Sequence, residues 1–180
     1  MLQITVPKRE LWDEGREEFL YLEEQTLLLE HSLVSLSKWE SKWRKPFLAT
    51  ETLSPEESRD YIRCMTLTPD VDPLVYKFLS DDNINEVGKY IAEPMTATWF
   101  TKRENSKPSR KIITAEVIYY WMTQLQIPFE CENWHLSRLF TFIEVCSEEN
   151  KPPKKMSQNE TMSRHKALNA ARRKQFNPKG

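Results

Sequence analysis

The spacing of apolar and polar residues predicts a mainly helical protein built around one helical hairpin. The densest apolar run lies between residues 114 and 146 and contains two stripes: Ile118, Trp121, Met122 and Leu125, then Leu136, Leu139, Phe140 and Ile143. This spacing places each stripe on one face of a helix. Pro128 separates them, because proline lacks an amide donor and disfavours a helical residue before it. We expect the two stripes to form the centre of a single core, with the other elements packed onto it.

Similar patterns predict further helices between residues 33 and 94. The first runs from Leu33 to Arg44 with Leu36, Trp39 and Trp43 on one side, and Pro46 ends it. The second runs from Pro55 to about Thr66, because Ser54 and Glu57 have the spacing of a capping box. Asp72-Pro73 repeats the cap-then-proline signal ahead of Leu74, Val75, Phe78 and Leu79. Asp82 opens another helix that ends at Pro94, with Ile84, Val87, Gly88 and Ile91 facing inward.

The N-terminal residues favour a short β-hairpin. Leu2–Val6 has the composition of a strand, and Thr26–Leu29 is either a second strand or the start of a helix. Residues 8–24 are too highly charged to be assigned to an element. Further along, residues 101–111 are polar and contain proline, which is typical of a mobile loop.

Charge divides the chain into an acidic body and a basic extension. Residues 1–150 hold 17 basic and 26 acidic side chains, whereas residues 151–180 hold 9 basic side chains and one acid. Ser157 and Glu160 form a second capping-box pattern, which predicts a helix from Gln158 to about Lys174. That helix has few apolar residues to bury, so we expect it to become ordered against a partner. The predicted organisation is a helical core domain at 1–150 and a basic C-terminal helical extension at 151–180.

Composition argues against several kinds of chemistry. Three glycines cannot build a phosphate-binding loop. Cys131, His135 and Cys146 fall near one helical face, but eleven residues separate the last two, roughly 16 Å along a helix. One metal ion needs ligand atoms within about 2.3 Å, so a straight helix cannot supply all three. We therefore expect buried thiols and a capping or core histidine.

Nothing in the sequence favours an enzyme or a bound cofactor. A Cys64 nucleophile would need His31 or His135 as its base, and only the fold could bring them together. Adjacent acids such as Glu148-Glu149 are typical of solvated surfaces. The three cysteines do not suggest a disulfide framework, which fits a reducing compartment. The sequence shows neither a run long enough to span a membrane nor a signal-like N-terminus, so we expect a soluble protein.

Tryptophans and the basic extension are the remaining candidates for partner binding. Trp39, Trp43, Trp121 and Trp134 have core spacing, whereas Trp12 and Trp99 lie in less regular segments where one of them could anchor a partner. For the extension, we select Arg164, Lys166, Arg172, Arg173 and Lys174 as partner-binding residues. Three interpretations stay open: docking on a protein, contact with nucleic-acid phosphates, or a solubilising tail. The near absence of aromatic residues disfavours base stacking.

Several segments resemble a known family. IITAEVIYYWMTQLQIPFECENWHLSRLFTFIEVC, NKPPKKMS and RHKALNAARRKQF are similar to small proteins of the tail gene cluster of tailed bacteriophages, known as tail assembly chaperones. EHSLVSLSKWESKWRKPFL, residues 30–48, is similar to the same family. The resemblance covers most of the chain from about Thr26 onward.

The resemblance implies a non-enzymatic protein of the host cytoplasm that keeps the tape measure protein soluble while the tail tube polymerises around it. Such chaperones are absent from the finished virion, and many are made in a short and a frameshifted long form. The resemblance supplies no catalytic residues. A virion component, such as a connector or tail completion protein, is the first alternative, and a nucleic-acid-binding regulator is the second.

Overall fold

The computed structural model describes residues 1–13, 15, 17–100, 111–151 and 158–176. These residues form four strands: β1 (Leu2–Val6), β2 (Arg9–Asp13), β3 (Glu18–Leu22) and β4 (Gln25–Leu29). They also form six α-helices: α1 (Leu33–Trp43), α2 (Pro55–Met65), α3 (Asp81–Ala92), α4 (Ala115–Gln124), α5 (Leu136–Glu149) and α6 (Gln158–Phe176). Short 3-10 turns occupy Phe47–Ala49, Pro73–Lys77 and Phe129–Asn133. The mainly helical fold with N-terminal β-structure is therefore confirmed.

The N-terminal residues form two antiparallel hairpin pairs. β1 pairs with β4, and β2 pairs with β3 within the segment that connects β1 to β4. Alternation buries Ile4 and Val6 of β1 against Leu27 and Leu29 of β4, because successive side chains of a strand point to opposite faces. The ambiguous segment at Thr26–Leu29 is thus a strand. The charged residues 8–24, which the sequence pattern left unassigned, contain the second pair.

Helix α2 begins as its sequence predicts. The Ser54 hydroxyl accepts the backbone N–H of Glu57 at 3.2 Å, and the Glu57 carboxylate accepts the N–H of Ser54 at 2.8 Å. Pro55 occupies the first turn, where its missing N–H costs nothing. Helix α1 uses a similar reciprocal pair, Ser32 with Ser35, which the sequence pattern did not reveal.

Helix α3 and the segment before it differ from expectation. Ser80, rather than Asp82, caps α3, and its hydroxyl accepts the N–H of Asn83. Gly88 is exposed instead of facing inward, and the inward positions are Asn83, Val87 and Tyr90. The Asp72-Pro73 signal does cap a helical segment, but that segment is a 3-10 turn of five residues. Capping chemistry marks where a helix begins and does not set its length or type.

Within the described residues, the buried apolar side chains form two clusters rather than one. The larger cluster joins the N-terminal strands, α2, α3 and Trp39. The smaller cluster joins α4, α5 and two residues of α1, Leu33 and Leu36. The prediction that the helical hairpin is the centre of a single core is therefore wrong. Helix α1 contributes to both clusters because its apolar side chains extend around more than one face.

A buried carboxylate links α1 to the start of α4. Glu40 is only 8% exposed, and its two oxygens accept the backbone N–H groups of Phe47 and Ala115, both at 2.8 Å. The local residue at the start of α4, Thr114, donates its hydroxyl to Glu116 instead. Glu40 therefore supplies from another helix the acceptor that a capping residue normally provides.

The chain divides into two compact units, Met1–Glu148 and Glu149–Gly180. The first contains the strands, α1 to α4 and nearly all of α5. The second contains α6, whereas Ser157 of the predicted capping box falls outside the described residues, as do residues 101–110 of the predicted loop. None of the described helices has both the length and the apolar character needed to cross a bilayer.

Candidate partner-binding surfaces

Helix α6 carries all five residues selected from the sequence for partner contact. Arg164, Lys166, Arg172, Arg173 and Lys174 are exposed along this helix. In the described part of the chain, the last four of these form no ion pair or hydrogen bond. Four cations are therefore held on a helical segment with their charges available to another molecule.

Helix α6 also lacks an apolar face. Across residues 159–175, whose side chains are described, not one is buried, and Met162 and Leu168 are 71% and 48% exposed. Consecutive residues of an α-helix point about 100° apart, so Arg172, Arg173 and Lys174 point in three directions. A helix that is polar all round gains little from packing. Contact with an oppositely charged surface would stabilise it.

A groove between α4 and α5 is the second candidate surface. Its volume is about 570 Å³, and Trp121, Leu125, Phe140 and Ile143 form its apolar lining together with Tyr120. The side chain of Tyr120 is 57% exposed. Gln124, Glu144, Ser147 and Glu148 complete the lining, so the α5 side of the groove carries two carboxylates. An amphipathic helix with a basic flank has the shape and charge to occupy such a groove.

The sequence pattern assigned this groove to the core. Trp121, Leu125 and Phe140 belong to the two predicted stripes, yet all three are only partly buried. For Trp121, a warning signal is the run Tyr119-Tyr120-Trp121, because three consecutive aromatic residues cannot all lie on one helical face. Ile118, Met122, Leu136 and Leu139 are the members that are fully buried.

The predicted core role of the tryptophans holds for one residue completely. Trp39 is fully buried, and its indole N–H donates to the Glu57 carbonyl oxygen at 3.0 Å. Trp43 and Trp134, like Trp121, are partly buried against the clusters. The two less regular tryptophans differ from these, since Trp12 is 48% and Trp99 is 90% exposed.

Two buried histidines form a polar cluster with two tyrosines. The rings of His31 and His135 lie 5.2 Å apart, and His31 Nδ1 is 2.6 Å from the Tyr61 hydroxyl. His135 Nε2 lies 3.2 Å from the Tyr90 carbonyl oxygen, and its Nδ1 accepts the N–H of Ser137. These contacts fit a neutral His135 ring that carries its proton on Nε2.

Burial disfavours the charged form of both histidines. Loss of water around His31, assisted by the nearby His135, lowers its pKa from 6.5 to about 3. Burial also lowers the pKa of His135. The hydroxyl of Tyr90 donates to Glu30 at 2.7 Å, and burial together with that carboxylate raises the tyrosine pKa. His31 Nδ1 and both ring nitrogens of His135 already have protein partners, which is typical of polar groups in a core.

The structure does not bring the candidate nucleophile and its base together. Among the described residues, no hydrogen bond joins Cys64 to His31 or His135. Burial raises the pKa of the Cys64 thiol, which disfavours the reactive thiolate. Cys131 lies in the turn before α5 and is buried, Cys146 is partly buried on α5, and His135 contacts Tyr90. No group of three or more His, Cys, Asp or Glu side chains in the described ranges is placed to hold a metal ion.

Comparison with known proteins identifies no relative of this chain. No protein-family model matches it, and neither a curated protein nor a solved structure does.

Proposed function

We propose that this protein is a tail assembly chaperone of a tailed bacteriophage that acts in the host cytoplasm. In this proposal it binds the tape measure protein and keeps it soluble until the tail tube forms. The observation that carries the proposal is α6, a helix of 19 residues in which no described side chain is buried. The partner's identity comes from the family resemblance, which covers residues 30–48, the segment that contains α4 and most of α5, and the C-terminal residues.

Two surfaces of different chemistry suit a long helical client. The groove between α4 and α5 offers Trp121, Leu125 and Phe140 to an apolar stripe that would otherwise be exposed to water. Helix α6 offers Lys166 and the Arg172–Lys174 run to carboxylates. Linking two such contacts in one chain raises the overall affinity, because the second contact forms at high effective concentration.

The first experiment tests α6 by co-expression with the tape measure protein of the same tail gene cluster. Charge reversal at Lys166, Arg172, Arg173 and Lys174 to glutamate is expected to lower the soluble, co-purifying fraction of the tape measure protein. These side chains are exposed and unpaired, so the reversal leaves the fold of the first unit intact. Reversal of Lys77 and Lys89, two exposed lysines of the first unit, is the control for charge reversal outside α6, with half as many substitutions. Equal recovery with both variants would remove α6 from the proposal.

The second experiment tests the groove separately. Tyr120→Ala and Glu144→Lys alter its rim without opening the core, and we expect both to reduce tape measure recovery. Phe129→Ala is the control, because Phe129 is also 57% exposed but lies outside the groove lining. Loss of recovery with the control as well would indicate a general effect on folding.

Two further assays distinguish the alternative functions. A nucleic-acid-binding regulator would shift duplex DNA with an affinity that falls steeply as salt rises, because phosphate contacts release counterions. A virion component would be present in stoichiometric amounts in purified particles. Either result, without tape measure binding, would overturn the chaperone proposal.

A further inference from the structure

The ribbon formed by β2 and β3 carries apolar side chains on both of its faces. Leu20 and Leu22 are buried on one face. Trp12, Phe19 and Tyr21 are 48%, 54% and 62% exposed. Trp12 is paired directly with Phe19, and Tyr21 is two residues further along its strand, so these three rings share the opposite face. We refer to Trp12, Phe19 and Tyr21 as the aromatic face.

The aromatic face is a contiguous platform. The Trp12 and Phe19 rings meet edge to face with centroids 4.9 Å apart, and the Phe19 and Tyr21 centroids are 6.4 Å apart. These contacts restrain the side chains before any partner arrives, which lowers the entropic cost of binding. Neighbouring exposed aromatic side chains of this kind mark interaction sites more often than single exposed apolar residues do.

The charge around the aromatic face selects the kind of partner. Residues 8–24 contain seven acidic and three basic side chains. Glu10 is exposed and paired with Tyr21, so it lies on the same face. Two ribbons packed face to face would bring like charges together, which is unfavourable. Aromatic rings beside carboxylates instead attract arginine and lysine, because the ring face and the carboxylate both attract a cation.

We propose that the aromatic face binds helix α6 of a second copy of this chain. Helix α6 supplies exposed cations at Lys166 and Arg172–Lys174, and these side chains have no other partner in the described part of the molecule. Each copy has one acidic ribbon and one basic helix, so reciprocal exchange satisfies both contacts and closes a dimer. The inference goes beyond the proposed function and does not depend on it, because the dimer requires no other protein; a client that binds the same cations of α6 would compete with the dimer.

Sedimentation velocity of the full chain at low salt tests the dimer. We expect the protein to dimerise in a concentration-dependent way, and to dissociate at about 1 M salt, where the Debye length falls to about 3 Å. Trp12→Ala combined with Phe19→Ala is expected to weaken dimerisation about tenfold or more. The same is expected of Arg172→Glu, Arg173→Glu and Lys174→Glu together. Trp99→Ala removes a tryptophan outside the ribbon, 90% exposed, and is expected to leave the dimer unchanged.

Mixing the two impaired variants separates loss of contact from loss of fold. The ribbon variant retains an intact α6, and the α6 variant retains an intact aromatic face, so an equimolar mixture recovers one of the two contacts. We expect heterodimers in the mixture at concentrations where each variant alone is monomeric. A wild-type monomer at low salt, a dimer insensitive to the ribbon substitutions, or a mixture without heterodimers would overturn the proposal.

Discussion

Removal of the Glu40 carboxylate is expected to destabilise the first unit far more than removal of an exposed acid. Glu40→Ala leaves two backbone N–H groups without acceptors, and the one at Ala115 belongs to a fully buried residue. A hydrogen bond to a charged acceptor contributes about 1.5–3 kcal/mol, and an anion near a helix N-terminus adds about 0.3–1 kcal/mol. Because these contributions are not additive, we expect a loss of about 3–5 kcal/mol in the free energy of unfolding.

Glu40→Gln provides an internal scale for the same site. Its amide oxygen still accepts one N–H, while its NH2 group faces the other, so we expect a loss of about 1–3 kcal/mol. Thermal unfolding followed by circular dichroism measures both effects, at about 2–4 °C in Tm per kcal/mol for a chain of this size. Glu86→Ala is the control, because Glu86 is exposed on α3, and it should change stability by less than about 0.5 kcal/mol. A Glu40→Ala protein as stable as this control would refute the role of Glu40 as the cap of α4.

Three further predictions concern the cores and pH. Leu36→Ala, at a fully buried position of α1, is expected to cost about 2–5 kcal/mol in denaturant unfolding, whereas Tyr120→Ala, at an exposed position of α4, should cost less than about 1 kcal/mol. His31 has a pKa of about 3 in the folded state and 6.5 in the unfolded state, so its contribution to the free energy of unfolding should be fully present above pH 6.5 and decline as the pH falls towards 3. His31→Gln should reduce the slope of that free energy against pH by the equivalent of about one bound proton. Burial acts to raise the pKa of Asp60, but hydrogen bonds from Lys42, Trp43 and Arg63 outweigh this effect and lower the pKa. The Asp60 carboxylate therefore stabilises the folded state at pH values above its unfolded pKa of 3.8. That contribution is lost as the pH falls below 3.8. Asp60→Asn should therefore flatten the acid limb of the stability profile, and an unchanged limb would contradict this assignment.

Local signals in the sequence predicted the elements whose causes are local. Ser54, Pro55 and Glu57 fix the start of α2 through contacts within one turn, and Pro128 lies, as predicted, in the segment between α4 and α5. Ile118 and Met122 are four residues apart and both buried, so their spacing identifies the buried face of α4. These features depend on nearby residues and not on the rest of the fold.

Features that depend on distant residues were beyond the sequence pattern. Glu40 caps a helix that begins 75 residues later, and no periodicity records that contact. Strands β2 and β3 stabilise each other by pairing, which the charged composition of residues 8–24 does not indicate. The groove residues Trp121 and Phe140 have the same spacing as core residues, and only the packing of α4 beside α5 shows that they are partly exposed. The basic residues of α6 were recognised because charge asymmetry needs no knowledge of packing.

The position of α1 in both apolar clusters affects how the first unit comes apart. Leu33 and Leu36 are buried in the smaller cluster, and Trp39 is buried in the larger one. The three residues lie within two turns of the same helix. We therefore expect the two clusters to unfold together, because unfolding of either one removes packing contacts from the helix that they share. Backbone amides near the middle of α1 should thus exchange with deuterium only through global opening, and the first unit should unfold in a single cooperative step.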